Sequence, residues 1–144
     1  MPEEVTRDEA MPEQPQARWL LIMEKAYRGS VETQFADALY VVPDLHRQSG
    51  GGCDLALRGP AVGYALRTAP QPPLRLGGRT LDTLPDPRAS VAKVLDAGVT
   101  VLVERPDLTA LGRTAADRLL PGVQVIEAHG LAARWPSYEQ VWFL

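Results

Sequence analysis

The chain has 144 residues, of which 45% are hydrophobic, and its formal net charge at pH 7 is -3. This length is typical of a single domain, and the hydrophobic fraction predicts a packed core rather than a disordered chain. The negative charge disfavours direct nucleic-acid binding. Cys53 is the only cysteine in the sequence, which excludes an intramolecular disulfide and a multi-cysteine metal cluster.

The acidic residues are concentrated at the start of the chain. Residues 1–16 contain five acidic groups and one basic group, a net charge of -4, whereas the rest contains 13 acidic and 14 basic groups, a net charge of +1. We therefore divide the chain into an acidic N-terminal arm, 1–16, and a single α/β domain, 17–144. The arm is either a solvated terminus or a segment that contacts a basic surface of a neighbouring subunit.

No apolar run reaches membrane-spanning length, and the N-terminus lacks the basic and apolar regions of a signal peptide. No membrane contact is therefore expected, and a cytoplasmic location is the expectation for a chain of this kind.

Short apolar runs alternate with helical patterns along the domain. The strands are predicted at residues 19–23, 53–57, 99–103, 123–126 and 138–144. The helices are predicted at residues 31–45 (interrupted at Pro43), 60–68, 89–97, 106–120 and 131–135. Such alternation predicts a flavodoxin-like three-layer fold, with a mostly parallel five-stranded sheet and right-handed crossovers.

Residues 69–88 break this alternation. They contain five prolines, and Gly77-Gly78 separates two short apolar stretches. A pair of glycines in this position is typical of a hairpin turn. We interpret the segment as an inserted Pro-rich ribbon or lid. Beyond it, Ser90 and Lys93 match a Ser-x-x-Lys pattern, which we interpret as a helix start with Ser90 as the N-cap.

The carboxyl ends of the predicted strands carry many charged residues. In open α/β sheets ligands bind at this edge, near the point where the strand order reverses. Helix N-termini there, together with arginines, favour a small anionic ligand, although charged loop residues are often simply solvated. The candidate ligand-binding residues are Glu24, Tyr27, Arg28, Arg58, Glu104 and Arg105.

Two stretches resemble the DsrE/DsrF-like proteins of sulfur relay. The first covers residues 20–67, including the sequences RGSVE at 28–32 and DLALRGPAV at 54–62. The second covers 98–143, including GVTVLV at 98–103, LLPGV at 119–123 and YEQVWF at 138–143. The resemblance implies a flavodoxin-like fold, assembly into homo-oligomers and a sulfur-relay protein as partner. It also implies a persulfide-carrying cysteine after the third long strand, where this chain has Glu104.

Three functions follow from these observations, and they leave open whether the protein is an enzyme. The first is a DsrE-like protein that binds a small anionic ligand or a protein partner at the carboxyl-end edge of the sheet, without persulfide transfer. The second is a sulfur carrier that uses Cys53, which requires a lowered thiol pKa. A lone cysteine at the start of a strand is more often a small buried residue.

The third function is a small enzyme that uses Glu24 and Glu104. We expect these residues to end neighbouring strands, where paired carboxylates can share a proton or hold a cation. An ion pair with Arg28, Arg58 or Arg105 is the structural alternative. No spacing of His, Asp or Glu predicts a metal site, and no cofactor is expected.

The C-terminal segment is unusually apolar. It contains Trp135, Trp142, Phe143 and Leu144, and its strand is predicted to lie at an edge of the sheet. Because exposed edges are usually covered, these residues are either a subunit contact or pack on the protomer's own last helix.

Overall fold

A computed structural model describes residues 19–26, 37–69, 72–82 and 86–144. The acidic arm, residues 1–16, lies outside the described residues. So do Tyr27 and Arg28, two of the candidate ligand-binding residues.

The fold is α/β, and its main sheet contains five strands that are all parallel. The seven strands are β1 Trp19–Met23, β2 Cys53–Leu57, β3 Leu74–Leu76, β4 Arg79–Leu81, β5 Thr100–Glu104, β6 Gln124–Ile126 and β7 Gln140–Phe143. Strands β3 and β4 form a separate two-stranded hairpin. The predicted fold class is confirmed, because short apolar runs buried on both faces form the central strands.

The main sheet has the order β6-β5-β2-β1-β7. The chain moves outward from β1 through β2 and β5 to β6, and then returns to the other side of β1 to form β7. The strand order therefore reverses between β1 and β7, and the carboxyl ends of these strands are the place where such sheets form a binding crevice.

The described helices are short. The α-helices are α1 Val42–Gln48, α2 Pro87–Asp96, α3 Arg105–Ala110 and α4 Gly130–Arg134. The 3-10 helices are Ala38–Val41, Gly59–Ala65, Ala116–Arg118 and Trp135–Ser137. None of the helices in the described part of the chain is long and apolar enough to cross a membrane.

Helix α2 is bounded by a capping aspartate before its first turn and by a glycine after its last turn. The Asp86 carboxylate accepts a hydrogen bond from the Arg88 N–H at 3.0 Å, and Gly98 beyond the last turn has a φ of +86°. The prediction that Ser90 is the N-cap is wrong, because Asp86 caps the helix before it. Ser90 lies inside α2 and donates a hydrogen bond to Asp37 Oδ2 at 2.9 Å.

Two predicted helices are shorter than their patterns suggest. Helix α3 ends at Ala110 instead of continuing to residue 120, and Gly112 beyond it has a φ of +117°. The segment predicted as helix 60–68 is a 3-10 helix that ends at Ala65. Both chain segments become extended because Leu66 forms an antiparallel bridge with Leu119. Tertiary pairing thus overrides the local helical pattern.

The predicted hairpin in the Pro-rich ribbon is confirmed. Strands β3 and β4 pair antiparallel across the two-residue loop Gly77-Gly78. Gly77 has a φ of +59°, a backbone conformation that glycine adopts without steric cost.

Side chains alternate between the two faces of the main sheet. On the first face, Leu21, Leu55 and Val101 pack against α1, α2 and α3. On the second face, Leu20, Ala56 and Leu102 lie in a smaller cluster with Leu131 of α4. The last crossover therefore carries α4 to the face opposite the other helices, which gives the three-layer arrangement.

Candidate functional site

Three charged residues form a row at the carboxyl ends of the central strands. Glu24 follows β1, Arg58 follows β2 and Glu104 is the last residue of β5. Since side chains alternate along a strand, all three fall on the side of the sheet that carries the smaller cluster. The Arg58 N–H donates to the Met23 carbonyl at 2.9 Å, so the pairing of β1 with β2 extends to this row.

Arg58 and Glu24 form an ion pair across neighbouring strands. Arg58 Nη1 donates to Glu24 Oε1 at 2.9 Å, and both side chains are partly exposed. An exposed pair of this kind contributes at most about 1 kcal/mol to stability. The Arg58 Nε is buried, and no residue in the described part of the chain accepts a hydrogen bond from it. An acceptor for this donor must therefore approach from the side on which the Arg58 side chain is exposed.

Arg105 is also paired. Its Nε donates to Glu127 Oε1 at 2.9 Å, and its Nη2 lies 2.9 Å from the same oxygen. Both side chains are exposed, and Glu127 follows β6, so this pair lies farther from the point where the strand order reverses. Of the two arginines that the structure describes among the candidate residues, Arg58 is the better placed to bind a ligand.

The expectation that Glu24 and Glu104 end neighbouring strands is wrong. Strand β2 lies between β1 and β5, and Arg58 stands between the two carboxylates in the row. Two strand spacings separate the backbones at these positions, or about 10 Å. The carboxylates therefore do not form a pair that shares a proton. The ion-pair alternative is correct for Glu24, and the described residues contain no group of three or more potential metal ligands.

Cys53 lies at the opposite end of its strand from this row. It is the first residue of β2, so about 13 Å of strand separates it from the carboxyl-end edge. Its side chain is 1% exposed, and its Sγ lies 3.5 Å from Ser49 Oγ. Burial raises the pKa of the Cys53 thiol, with a smaller opposing effect of the Ser49 hydrogen bond. A sulfur carrier requires the reverse, an accessible thiol with a lowered pKa.

We predict that Cys53 is unreactive in the folded protein. Incubation with a sulfane-sulfur donor should leave the intact mass of the folded chain unchanged, because the thiol is protonated and buried. The same treatment in denaturant, where Cys53 is exposed, is the positive control. A reductant-sensitive gain of one sulfur atom in the folded chain, absent from Cys53→Ser, would restore the carrier function.

One partly buried polar pair was not predicted from the sequence. Tyr138 OH donates to Asp54 Oδ2 at 2.6 Å and links β2 to the segment that precedes β7. Burial raises the pKa of Asp54, whereas the Tyr138 hydrogen bond and the charge of Arg134 oppose this shift. Burial also raises the pKa of Tyr138. Asp54 lies near the amino end of β2, so we assign this pair to the fold and not to the site.

A cavity of about 380 Å³ lies between α1 and the start of α2. Its lining includes Asp37, Tyr40, Asp86, Ser90 and Lys93. The hydrogen bond from Ser90 to Asp37 ties α2 to the 3-10 helix Ala38–Val41, whose first turn Asp37 also caps. The Ser-x-x-Lys pattern here thus has a structural explanation, because the Ser90 hydroxyl is used in a contact between two helices.

Comparison with solved structures identifies a similar fold. The crystal structure of the YchN protein from E. coli matches with a TM-score of 0.67 and 19% sequence identity, over 90% of this chain and 100% of that chain. No protein-family model matches the sequence. No curated protein matches it significantly.

The match extends over nearly the whole chain. At this TM-score and coverage the present chain shares the fold of YchN. The sequence-based expectation of a flavodoxin-like architecture is thus supported by an independent structure.

Proposed function

We propose that this chain is a divergent DsrE-like protein that binds a small anionic group at the carboxyl ends of β1, β2 and β5, without transferring a persulfide. The group is either a free ligand or one presented by a partner protein. The observation that carries the proposal is the buried Nε–H of Arg58, from which no described residue accepts a hydrogen bond. The shared fold with YchN and the resemblance of residues 20–67 and 98–143 to DsrE/DsrF-like proteins support it.

The carboxylate at position 104 argues against persulfide transfer. A persulfide forms when a thiolate attacks a sulfane sulfur, and a carboxylate at the same position cannot carry the resulting S–S bond. Glu104 ends β5 where the family resemblance implies a cysteine. Cys53 is buried at the other end of the sheet and does not replace it.

Arg58 has the chemistry that an anion site requires. A guanidinium is planar and always charged, and its N–H groups can bind two oxygens of one anion. A buried donor without a partner costs about 1–3 kcal/mol, so an anion that accepts from Nε recovers part of that cost on binding. The same anion competes with Glu24 for the guanidinium, since Nη1 is bonded to that carboxylate.

We predict that Arg58→Gln weakens anion binding by about tenfold or more, because the variant loses charge-assisted hydrogen bonds. Calorimetric titration of the full chain with thiosulfate, and separately with inorganic phosphate, measures the effect. Glu24→Gln should strengthen binding, since it removes the carboxylate that competes for Arg58.

Arg47→Gln is the matched control. It makes the same change in net charge at an arginine that is also paired on the surface, with Asp44 of α1. Its affinity for either anion should equal that of the unmodified chain. Binding that Arg58→Gln leaves intact, or no binding of either anion by the unmodified chain, would contradict the proposed site.

A further inference from the structure

The outer edge of β7 directs backbone groups away from the main sheet. The Leu144 N–H donates to the Ile22 carbonyl at 2.8 Å on the inner side, where β7 pairs with β1. Because alternate residues of a strand point their N–H and C=O groups to opposite sides, Gln140 and Trp142 bond toward β1. Val141 and Phe143 therefore direct their backbone groups outward. In the part of the chain that the structure describes, no strand pairs with this outer edge.

This edge lacks the features that usually prevent association. Its sequence, QVWF, contains no lysine and no proline, and the strand has large apolar side chains on both faces. Trp142 is 43% exposed and Phe143 is 60% exposed. The opposite edge strand, β6, is shorter and has no large exposed hydrophobic residue. Of the two edge strands of the main sheet, β7 is therefore the one better suited to pair with another strand.

Aromatic rings hold these side chains in place. Trp142 stacks on Trp19 of β1, with ring centroids 5.7 Å apart and an interplanar angle of 16°. On the other face, the ring centroids of Phe143 and Trp135 are 6.1 Å apart, and Trp135 is itself partly exposed. The apolar surface on each side of the edge is thus built from rings that already contact one another, and little side-chain ordering is needed to dock against it.

We propose that β7 pairs antiparallel with β7 of a second copy of this chain, which joins the two five-stranded sheets into one sheet of ten strands. Outward-directed residues must face each other, and only the register with Trp142 at the two-fold axis pairs both of them, Val141 and Phe143, within β7. Val141 then pairs with Phe143 of the second copy, and the two Trp142 residues face each other at the two-fold axis.

The second copy fits this edge because the strand is self-complementary. A two-fold contact requires the same patch to match itself, and like charges directly opposite one another are destabilising. In this register every opposed pair is uncharged: Gln140 with Leu144, Val141 with Phe143, and Trp142 with Trp142. Aromatic residues and β-branched residues are favourable partners across strands. This dimer does not depend on the proposed anion site.

Sedimentation of the full chain over a range of concentrations tests the proposal. The unmodified chain should form a dimer whose population rises with concentration, because a four-residue strand gives a contact smaller than a standard interface. Trp142→Lys should weaken the dimer about tenfold or more, since it places two like charges at the axis. Phe143→Pro should do the same, because it removes an outward N–H that β1 does not use.

Mixing two charge variants gives a result that a folding defect cannot produce. Trp142→Lys and Trp142→Glu should each be monomeric alone and should form a heterodimer together, because the two positions face each other. Leu76→Lys, which changes an exposed apolar residue in the β3–β4 hairpin, should leave the dimer intact. A monomeric unmodified chain, or a dimer that persists in both Trp142 variants, would overturn the proposal.

Discussion

Leu55→Ala should lower the free energy of unfolding by about 3 kcal/mol, within the range of about 2–5 kcal/mol found for buried leucines. Leu55 is the middle residue of β2, the central strand of the main sheet, and it is fully buried. It pairs with Leu21 on one side and Val101 on the other. Truncation removes apolar contacts and leaves a cavity that two flanking strands keep from closing. Urea denaturation followed by circular dichroism measures the loss.

Leu76→Ala is the matched control for this substitution. Leu76 lies in the β3–β4 hairpin and is 52% exposed, so the same chemical change should alter the free energy of unfolding by less than about 0.5 kcal/mol. Equal effects at the two positions would show that β2 is not the centre of the hydrophobic core.

The strands were predictable because burial on both faces leaves a clear mark in the sequence. The runs 19–23 and 101–103 are apolar at every position, and each lies in an interior strand of the main sheet. The order of the strands leaves no such mark. It depends on which crossovers pack on which face, so Glu24 and Glu104 were expected to be neighbours although β2 lies between them.

The helices show the limit of periodicity. Apolar residues between positions 106 and 120 keep helical spacing, yet α3 ends at Ala110. Gly112 interrupts the helix, and the bridge between Leu66 and Leu119 pairs segments that are distant in sequence. Contacts of that kind are decided by tertiary packing, which a local pattern does not contain.

The candidate site was predictable to the same extent. The positions of Glu24 and Arg58 at the carboxyl ends of β1 and β2 were predictable, because strand ends follow from the apolar runs. The same runs did not show that Arg105, at the start of α3, forms an ion pair with Glu127, which follows a different strand. The pair formed by Asp54 and Tyr138 was also missed, since the two residues are 84 positions apart. The one available signal was Asp54 itself, because a carboxylate within an apolar strand needs a hydrogen-bond donor.

The Asp54–Tyr138 pair gives the second large effect on stability. Tyr138→Phe should lower the free energy of unfolding by about 1–2 kcal/mol at pH 7, because it leaves a partly buried carboxylate without its donor. The hydroxyl lowers the pKa of Asp54 by stabilising the ionised form. The loss should therefore be largest at neutral pH and should shrink as the pH falls and Asp54 becomes protonated.

The pH dependence of unfolding separates this pair from ordinary packing. In the folded chain the pKa of Asp54 is raised above its unfolded value of about 4. The folded state thus binds the proton more tightly, and the contribution of Asp54 to stability falls as the pH rises through this range. Asp54→Asn should remove that fall while keeping an acceptor for Tyr138. Tyr40→Phe, at a highly exposed tyrosine, should change neither stability nor its pH dependence. A Tyr138→Phe effect that is constant from pH 4 to pH 7 would show that the hydroxyl does not act through the ionised Asp54 carboxylate.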